Sequence, residues 1–421
     1  MSSPTARING ARLWQSLDDL AQIGATARGG VCRLAFTDAD RRARAFFASQ
    51  CHDIGMTVQR DDFGNLFALM GTGGPPRPRS SIMVGSHIDS QATGGKYDGA
   101  FGVMCALEIA RTLADRAIEL RHPFEIGLWA NEEGARFSPP MMGSGVFVGR
   151  FELDAMRRCV DADGVSLGSE IDADAGLLPL PTRPDRPIAA YIEPHIEQGP
   201  VLEQRECSLG VVTGAQAVTW LDVSVAGVSA HAGPTPVLLR SDALLAASEI
   251  ALAAEALALE ESPEARATSG NLQIDRPARN VVPGTARLWL DLRHPDEQIL
   301  DAMIEKLRER ADRIARQRGV SVTIDKLWHM EATRFDPELV TALHGAAKAN
   351  GIDAPGMISG AGHDALHLAG VCPTAMLFTP CEGGISHNES ENMQQAHAAI
   401  ACQVVFDALL PLLTSGSRVA A

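Results

Sequence analysis

The chain has 421 residues, of which 45% are hydrophobic, and its formal net charge is −15 at pH 7. This length predicts more than one domain, and the hydrophobic content is sufficient for a full core. Neither nucleic acid nor a membrane surface is expected as a partner of so acidic a chain, because both are negatively charged.

The cysteines and the N-terminal segment indicate a cytoplasmic protein. Eight cysteines are scattered along the chain without a Cys-x-x-Cys pair, a pattern typical of buried thiols in a reducing compartment. The N-terminal segment MSSPTARINGARLWQSL lacks the apolar core of a secretory signal. No uninterrupted apolar run reaches the roughly 18 residues that a membrane span requires, so none is expected.

The first part of the chain mixes helical and strand patterns. Apolar residues at helical spacing predict helices over 9–28 and 38–54. Alternating residues around the turn DDFGN predict a hairpin over 56–70. A loop follows at 71–81, and residues 151–187 are Asp- and Pro-rich, which predicts an irregular surface excursion.

Four hydrophobic strands are each followed by polar side chains. Ligands bind beyond the carboxyl ends of the strands in open α/β sheets, so these side chains are expected to converge on one cleft. The strands and their polar residues are 82–84 followed by His87, 124–130 followed by Glu132 and Glu133, 188–199 with His195, Glu197 and Gln198 at its end, and 373–378 followed by His387.

The stretch GSHIDSQATGGKYDG, residues 85–99, has the side chains of a metal site. Imidazole and carboxylate, here His87 and Asp98, are preferred ligands of borderline and hard divalent metals. Asp89 is spaced so that its carboxylate accepts the second ring N–H of His87 and fixes the tautomer. Taken alone, His-x-Asp is more often part of a polar loop, and an isolated Glu-Glu pair is more often a surface turn.

The pattern changes between about 211 and 328. Two strand–helix–strand halves give the order β-α-β-β-α-β of a split βαβ sandwich. The chain afterwards returns to supply the strand before His387, so this domain interrupts the first. We therefore predict a catalytic domain of residues 1–212 and 329–421 and an inserted domain of residues 213–328, whose free sheet edge favours a homodimer.

Nine motifs then occur in a fixed order: GSHIDS with GGKYDG, NEEGARF, HIEQGPVLE, HAGPTP, NVVPG, DLRHP, SGAGHDA and GGISHNESE. Together they resemble the M20-type metallohydrolases, in the amidase (hydantoinase/carbamoylase) branch with N-carbamoyl-L-amino-acid hydrolases, β-ureidopropionases and allantoate amidohydrolases. The resemblance spans essentially the whole chain. It implies an α/β fold: a zinc-peptidase-like catalytic domain with a mixed sheet flanked by helices, and an inserted α+β lid and dimerisation domain.

The resemblance also implies two divalent metal ions per subunit, Zn²⁺ or Mn²⁺, with Co²⁺ or Ni²⁺ compatible. His87, Asp98 and His195 would hold one ion. Asp98, Glu133 and His387 would hold the other, with Asp98 bridging the two. Glu132 would be the general base.

Further roles follow from the same resemblance. His231 is implied as an oxyanion donor that reaches the partner subunit's site. Asn280 and Arg293 are implied as a clamp for the substrate carboxylate, with Gln198 at the same end of the substrate. Gly360 is implied in a backbone-amide loop, with His363 as a supporting histidine. Taken singly, His231, Asn280 and Arg293 are as readily explained as surface residues.

The leading hypothesis is hydrolysis of the carbamoyl (ureido) group of N-carbamoyl amino acids to amino acid, CO2 and NH3. The substrate would be an N-carbamoyl-L-amino acid or N-carbamoyl-β-alanine. TGGKYDG, MMGSGVF and SHNES favour this over allantoate or ureidoglycolate hydrolysis, and His195 argues against cleavage of peptides or N-acyl amides. A non-enzymatic binding protein is disfavoured because every implied ligand and the base are present.

Overall fold

The computed structural model describes residues 6–71 and 80–414. The start of the N-terminal segment and most of the loop predicted at 71–81 lie outside the described residues. The chain divides into two units, which we call unit 1 (Met1–Thr213 and Arg334–Ala421) and unit 2 (Gly214–Thr333). The predicted boundary at 328/329 falls inside a strand that continues to Met330, so the insert extends further along the chain than predicted.

Some of the helices begin directly after a residue whose side chain accepts an unpaired amide of the first turn, as Asn9, Thr37 and Asp296 do. The helices are α1 (Gly10–Ala21), α2 (Asp38–His52), α3 (Ala100–Asp115), α4 (Met142–Phe147), α5 (Leu153–Arg157), α6 (Leu167–Leu177), α7 (Val201–Gln204), α8 (Ala243–Glu261), α9 (Glu297–Arg318), α10 (Pro337–Ala349), α11 (Asp364–Leu368) and α12 (Gln395–Thr414).

The strands are β1 (Thr57–Arg60), β2 (Leu66–Met70), β3 (Ser81–His87), β4 (Phe124–Trp129), β5 (Ile188–Ile196), β6 (Gly210–Ala215), β7 (Ala217–Ala226), β8 (Ala230–His231), β9 (Arg266–Ile274), β10 (Val281–Val282), β11 (Thr285–His294), β12 (Ser321–Met330), β13 (Thr333–Arg334), β14 (Gly356–Ser359) and β15 (Thr374–Thr379).

A mixed nine-stranded sheet runs through unit 1, in the order β1-β2-β4-β3-β5-β15-β6-β13, with β14 paired to β6. The four central strands β4, β3, β5 and β15 are parallel, and β2 and β6 flank them antiparallel. β3 and β4 are buried along their whole length, as parallel strands covered on both faces must be. The predicted mixed sheet flanked by helices is confirmed, and the carboxyl ends of the four parallel strands share one edge.

Helix α3 packs on β3, β4 and β5, and α12 packs on α1, α3 and α10. Within the described residues, α12 alone is long and apolar enough to cross a membrane by length and composition. More than half of its most apolar window is buried inside the structure, as in a core helix of a folded domain.

Unit 2 is a four-stranded antiparallel sheet, in the order β12-β7-β11-β9, with α8 and α9 packed on one face. Leu221, Leu288 and Leu307 belong to its separate hydrophobic core. The other face, which we call the outer face, carries the alternate residues of β7 and β11, among them Trp220 and Arg293. The predicted strand and helix order is observed, and the short β8–β10 ribbon was not predicted.

Three local predictions differ from the structure. The first helix ends at Ala21 rather than near 28, because the chain turns through Gly24 with a positive φ of 83°. The predicted excursion at 151–187 contains α5 and α6, whose polar, Asp-rich sequences hid the helical pattern. α4 was not predicted because three of its six residues are glycine or serine.

Candidate metal centre

The four parallel strands deliver the predicted ligands to one edge of the sheet. His87 is the last residue of β3, and His195 is the penultimate residue of β5. Glu132 and Glu133 follow β4 after a short turn, and His387 follows β15 on a longer loop. The carboxyl-end rule for open α/β sheets therefore accounts for the location of the site.

Asp98 lies between two groups of ligand atoms. Its Oδ1 is 3.3 Å from His195 Nε2 and 3.7 Å from His87 Nε2. Its Oδ2 is 3.3 Å from His387 Nε2, and the same nitrogen is 3.3 Å from Glu133 Oε2. Each group offers three ligand atoms within 4.8 Å of one another. One carboxylate thus presents a separate oxygen to each group, as a bridging ligand does.

The charges in the site fit a bound cation. Burial opposes ionisation of Asp98, but hydrogen bonds from His195 and His387 outweigh it and hold the Asp98 pKa well below its usual range. Burial and the Asp98 charge raise the pKa of Glu133 to about 8. Buried carboxylates this close to one another are ionised together only where a positive charge compensates them. The donor set, imidazole plus carboxylate, indicates a divalent metal.

The histidines respond differently to this environment. Burial lowers the pKa of His87 to about 4, which keeps its imidazole neutral, the form that binds metals. The hydrogen bond to Asp98 raises the pKa of His387 to about 9. A cation bound between His387 and Asp98 would displace this proton and leave the imidazole as a ligand.

Glu132 is buried beside the first group, with its Oε2 3.4 Å from His87 Nε2. Burial raises its pKa well above the usual value, and the carboxylates of Asp364, Glu133 and Asp89 raise it further. A carboxyl group with a raised pKa can exchange a proton near neutral pH, which suits a general base that later acts as an acid.

Asp89 takes a different position from the one predicted. Its backbone carbonyl, not its carboxylate, lies 3.0 Å from His87 Nδ1. Its carboxylate instead accepts the backbone N–H groups of Glu132 and Glu133, each at 3.2 Å. The turn after β4 offers two unpaired amides to this carboxylate, whereas the backbone carbonyl already fixes the His87 tautomer.

Backbone strain is present at this edge of the sheet. Asn131, Gln198 and His387 have φ between 53° and 58°, a region that non-glycine residues rarely adopt. Gly99 has φ 62°, and a Cβ there would lie 2.4 Å from the His87 imidazole. The backbone is thus held in unfavourable conformations that bring the ligands together.

Gln198 lies at the second ligand group. Its Nε2 donates to Asp98 Oδ2 at 2.9 Å and lies 3.3 Å from His387 Nε2. Among the described residues, its buried Oε1 has no hydrogen-bond partner. This amide therefore has an unused acceptor in the site, as expected of a residue that contacts a substrate.

Glu391 was missed by sequence reasoning. Its Oε1 accepts the backbone N–H groups of Tyr97 and Asp98, and its Oε2 accepts the Ser386 hydroxyl. It therefore joins the loop that carries Asp98 to the loop that carries His387. The only signal was its place four residues after that histidine, in SHNESE, and a carboxylate there is indistinguishable from a surface acid.

Glu193 was also missed, although it precedes His195 by two residues and so shares its side of β5. It accepts the Ser86 hydroxyl and the backbone N–H of Ala365 at the start of α11. The ring of His363, the residue before α11, packs edge-on against His195 at 4.4 Å. Gly360 lies in the same loop, which connects β14 to α11.

The remaining predicted residues belong to unit 2. His231 and Asn280 are neighbours, because β8 pairs with β10 and Ala232 N donates to Asn280 O at 2.9 Å. Arg293 lies near the far end of β11, which begins at Thr285 just after β10. The strand between Thr285 and Arg293 spans roughly 27 Å. Within one chain, Asn280 therefore precedes the start of β11 and Arg293 lies near its end, and the predicted clamp stays a prediction.

Comparison with known proteins places this geometry in a family. The model of peptidase family M20/M25/M40 matches residues 83–410. The N-carbamoyl-L-amino-acid amidohydrolase of Rhizobium meliloti is 40% identical, over 96% of both chains. The allantoate amidohydrolase of Bacillus subtilis is 33% identical, over 93% of this chain and 95% of the relative.

A solved structure resembles the whole chain. The amidase of the hydantoinase/carbamoylase family from Burkholderia multivorans superimposes with a TM-score of 0.92 and 40% identity, over 98% of this chain and 100% of that chain. Both the sequence and the fold therefore match along nearly the full length. The chain belongs to peptidase family M20/M25/M40, in the hydantoinase/carbamoylase amidase branch.

Proposed function

We propose that this protein hydrolyses the ureido group of N-carbamoyl-L-amino acids with two divalent metal ions per subunit, Zn²⁺ or Mn²⁺. The observation that carries the proposal is Asp98, which presents one carboxylate oxygen to each of two ligand groups. The similarity to an N-carbamoyl-L-amino-acid amidohydrolase over 96% of the chain supports the substrate class.

His87, Asp98 and His195 would hold one ion, and Asp98, Glu133 and His387 the other. When bound, the cations supply Lewis acidity to the ureido carbonyl and make water acidic enough to lose a proton near neutral pH. Co²⁺ and Ni²⁺ are compatible with the same donors, since affinity follows the general order for first-row metals.

Glu132 would receive the proton of the attacking water and deliver it to the departing nitrogen. Its burial and its raised pKa support both halves of this cycle. The carbon–nitrogen bond to the amino acid breaks, and the carbamate that leaves decomposes to CO2 and NH3. The free amino acid is the second product.

Arg293 would bind the substrate carboxylate, because a guanidinium matches a carboxylate in planar, two-point geometry. Gln198 would contact the substrate through its unused Oε1. His231 would donate a hydrogen bond to the oxyanion, with Asn280 beside it. Gly360 would contribute a backbone amide from the loop before α11.

We further propose a homodimer formed through unit 2. His231 and Asn280 lie at one end of β11 and Arg293 near the other. A site that uses all three residues then needs residues from two subunits, and the family resemblance assigns His231 to the partner subunit's site. Helix α8 supplies a surface for this contact: Leu245, Leu252 and Leu259 repeat every seven residues and are 45% to 81% exposed.

A cytoplasmic location is supported by the eight cysteines, all of which are free thiols in the structure. Disulfides are rare in that compartment. Allantoate and ureidoglycolate are the second candidate substrates, because each carries a ureido group that the same residues could attack. The lower identity to the allantoate enzyme, 33%, ranks them after N-carbamoyl amino acids.

The deciding experiment measures ammonia release by purified protein loaded with Mn²⁺ or Zn²⁺. The substrates are several N-carbamoyl-L-amino acids, N-carbamoyl-β-alanine, allantoate and a dipeptide. We expect turnover of an N-carbamoyl-L-amino acid that a chelator removes and added metal restores. Turnover of allantoate alone would overturn the substrate assignment and leave the metal chemistry in place.

The role of Glu132 has its own test. We expect Glu132→Gln to lower kcat by about 10²–10⁴-fold, the usual contribution of a general base, while the metal content stays at two ions per chain. Glu389→Gln is the matched control, because Glu389 lies in the His387 loop and, among the residues that the structure describes, its carboxylate makes only a 3.8 Å contact with the exposed Arg28. Activity retained by Glu132→Gln would refute the assignment.

A further inference from the structure

Arg293 is held in one orientation by a carboxylate of its own strand. Asp291 and Arg293 are two residues apart on β11 and so project from the same outer face. Arg293 Nε donates to Asp291 Oδ1 at 2.7 Å, and Nη2 donates to Oδ2 at 2.8 Å. This side-on pair fixes the plane of the guanidinium as well as its position.

Asp291 is itself held from the neighbouring strand. Trp220 lies directly opposite Asp291 on β7, and its Nε1–H donates to Asp291 Oδ2 at 2.8 Å. The Trp220 ring in turn packs on Trp328 of β12, with 4.7 Å between ring centroids. Three adjacent strands therefore contribute to the orientation of one guanidinium.

A second arginine on the same face lacks this arrangement. Arg287 contacts Asp222 through a single Nη2–Oδ2 bond of 2.7 Å, and its side chain is 61% exposed, against 29% for Arg293. Within the described part of the chain, Asp222 Oδ1 has no hydrogen-bond partner. The outer face thus offers a loosely held ion pair for comparison with the fixed one.

We propose that Asp291, supported by the Trp220 indole N–H, is a positioning residue that orients Arg293 toward the substrate carboxylate. The inference rests on the proposed function, in which Arg293 binds that carboxylate. A mobile arginine side chain loses much rotamer freedom when it binds a ligand, so an arginine ordered beforehand binds more tightly. Asp291 then contributes to the preference for substrates with a carboxylate without touching them.

The test compares two substrates on the metal-loaded, full-length enzyme: an N-carbamoyl-L-amino acid and its uncharged carboxamide. We expect Asp291→Ala to raise KM for the acid about tenfold, with kcat within about twofold, because binding of the carboxylate is weakened equally in the ground state and the transition state. KM for the carboxamide should not change. Trp220→Phe should act in the same direction with a smaller effect.

Asp222→Ala is the matched control, because it removes an aspartate–arginine pair from the same face, and it should leave both KM values unchanged. Asp291→Asn, which keeps the shape and one acceptor oxygen, covers the case in which Asp291→Ala does not fold. Unfolding midpoints of all variants identify general destabilisation.

The outcomes separate the two proposals. If Arg293→Ala leaves KM for the acid unchanged, the carboxylate-binding role of Arg293 is wrong. If Arg293→Ala raises KM but neither Asp291 variant does, the positioning role is wrong while the proposed function stands. A lower KM for the acid in Asp291→Ala would also overturn the positioning role, since Asp291 would then compete with the substrate carboxylate for Arg293.

Discussion

At the scale of single residues, the site depends on close packing of the Gly99 backbone against the side chain of His87, a proposed metal ligand. Gly99 directly follows Asp98, the proposed bridging ligand, and has φ 62°. Its Cα packs against the His87 imidazole, so the residue must lack a side chain and also adopt a conformation that favours glycine. The spacing of His87 and Asp98 alone does not reveal this requirement.

Gly99→Ala should therefore abolish or strongly weaken metal binding. The new Cβ would lie 2.4 Å from the His87 ring and would displace this ligand. Gly55→Ala is the control, since Gly55 also has a positive φ (75°) but a Cβ added there would have no neighbouring atom within 4 Å. Both variants should lose about 1–2 kcal/mol of unfolding free energy from backbone strain. Metal titration distinguishes them: equal metal affinity in the two variants would contradict the steric explanation.

Residues that act through other residues were the hardest to find from the sequence. Metal ligands are recognisable because imidazole and carboxylate follow hydrophobic strands. Glu391 is not, because its role depends on two loops that meet only in the folded chain. The predicted contact of the Asp89 carboxylate with His87 was wrong for a related reason: spacing along the chain does not show which backbone amides need an acceptor.

At the scale of secondary-structure elements, hydrophobic strands were predicted well and short polar helices poorly. β3, β4, β5 and β15 each contain a mostly apolar run, so their positions and the polar residues after them could be predicted from the sequence. The helix α9 was also predicted with its observed bounds, because a long amphipathic pattern is unambiguous. α4 and α11 have five or six residues each and no such pattern.

A buried polar cluster joins these two short helices. The Ser144 hydroxyl of α4 donates to Asp364 of α11 and also contacts His367 Nδ1 at 3.2 Å. The His367 ring packs edge-on against Phe151. Burial, together with the nearby positive charge of Arg150, lowers the pKa of His367 to about 4.

This histidine should make the fold sensitive to acid. The pKa of His367 is about 4 in the folded chain and 6.5 in the unfolded chain, so between these values the unfolded chain binds the proton more readily. The stabilisation of the fold by neutral His367 is therefore complete above pH 6.5 and is lost as the pH falls from 6.5 toward 4. At pH 5 the loss should be about 2 kcal/mol. His367→Asn should reduce the difference in unfolding free energy between pH 7.5 and pH 5 by this amount.

Chemical denaturation at the two pH values measures this effect. The metal ligands titrate in both proteins, so their contribution cancels when the variant is compared with the wild type. His52→Asn, at an exposed position of α2, is the control and should keep the wild-type difference. An unchanged pH dependence in His367→Asn would show that this histidine does not account for the acid sensitivity.

At the scale of the whole molecule, each unit has its own hydrophobic core. The order of elements in the sequence was sufficient to predict an inserted domain, because the strand before His387 appears only after the insert. The placement of Asn280 before the start of β11 and of Arg293 near its end was not predicted. It depends on the length of this strand, which the family motifs NVVPG and DLRHP do not convey.

The proposed dimer predicts that active sites are shared between subunits. Leu252→Glu on α8 should shift the protein from dimer to monomer in sedimentation experiments and lower its activity, because a charge replaces an exposed leucine in the contact. Leu177→Glu is the control, since Leu177 is 69% exposed on α6 of unit 1, outside the proposed dimer contact. A dimer retained by Leu252→Glu would exclude this surface.

Mixed dimers test the sharing directly. Glu132→Gln lacks the proposed base, and His231→Ala lacks the proposed oxyanion donor, so each homodimer should be nearly inactive. If His231 acts on the partner subunit's site, a mixed dimer has one complete site, built from Glu132 of one chain and His231 of the other. Random exchange of subunits makes about half of the dimers mixed, so the mixture should regain about a quarter of the wild-type activity. If His231 acts within its own chain, the mixed dimer has no complete site and mixing restores no activity. Asn280 and Arg293 would then have separate roles that do not require them in one site.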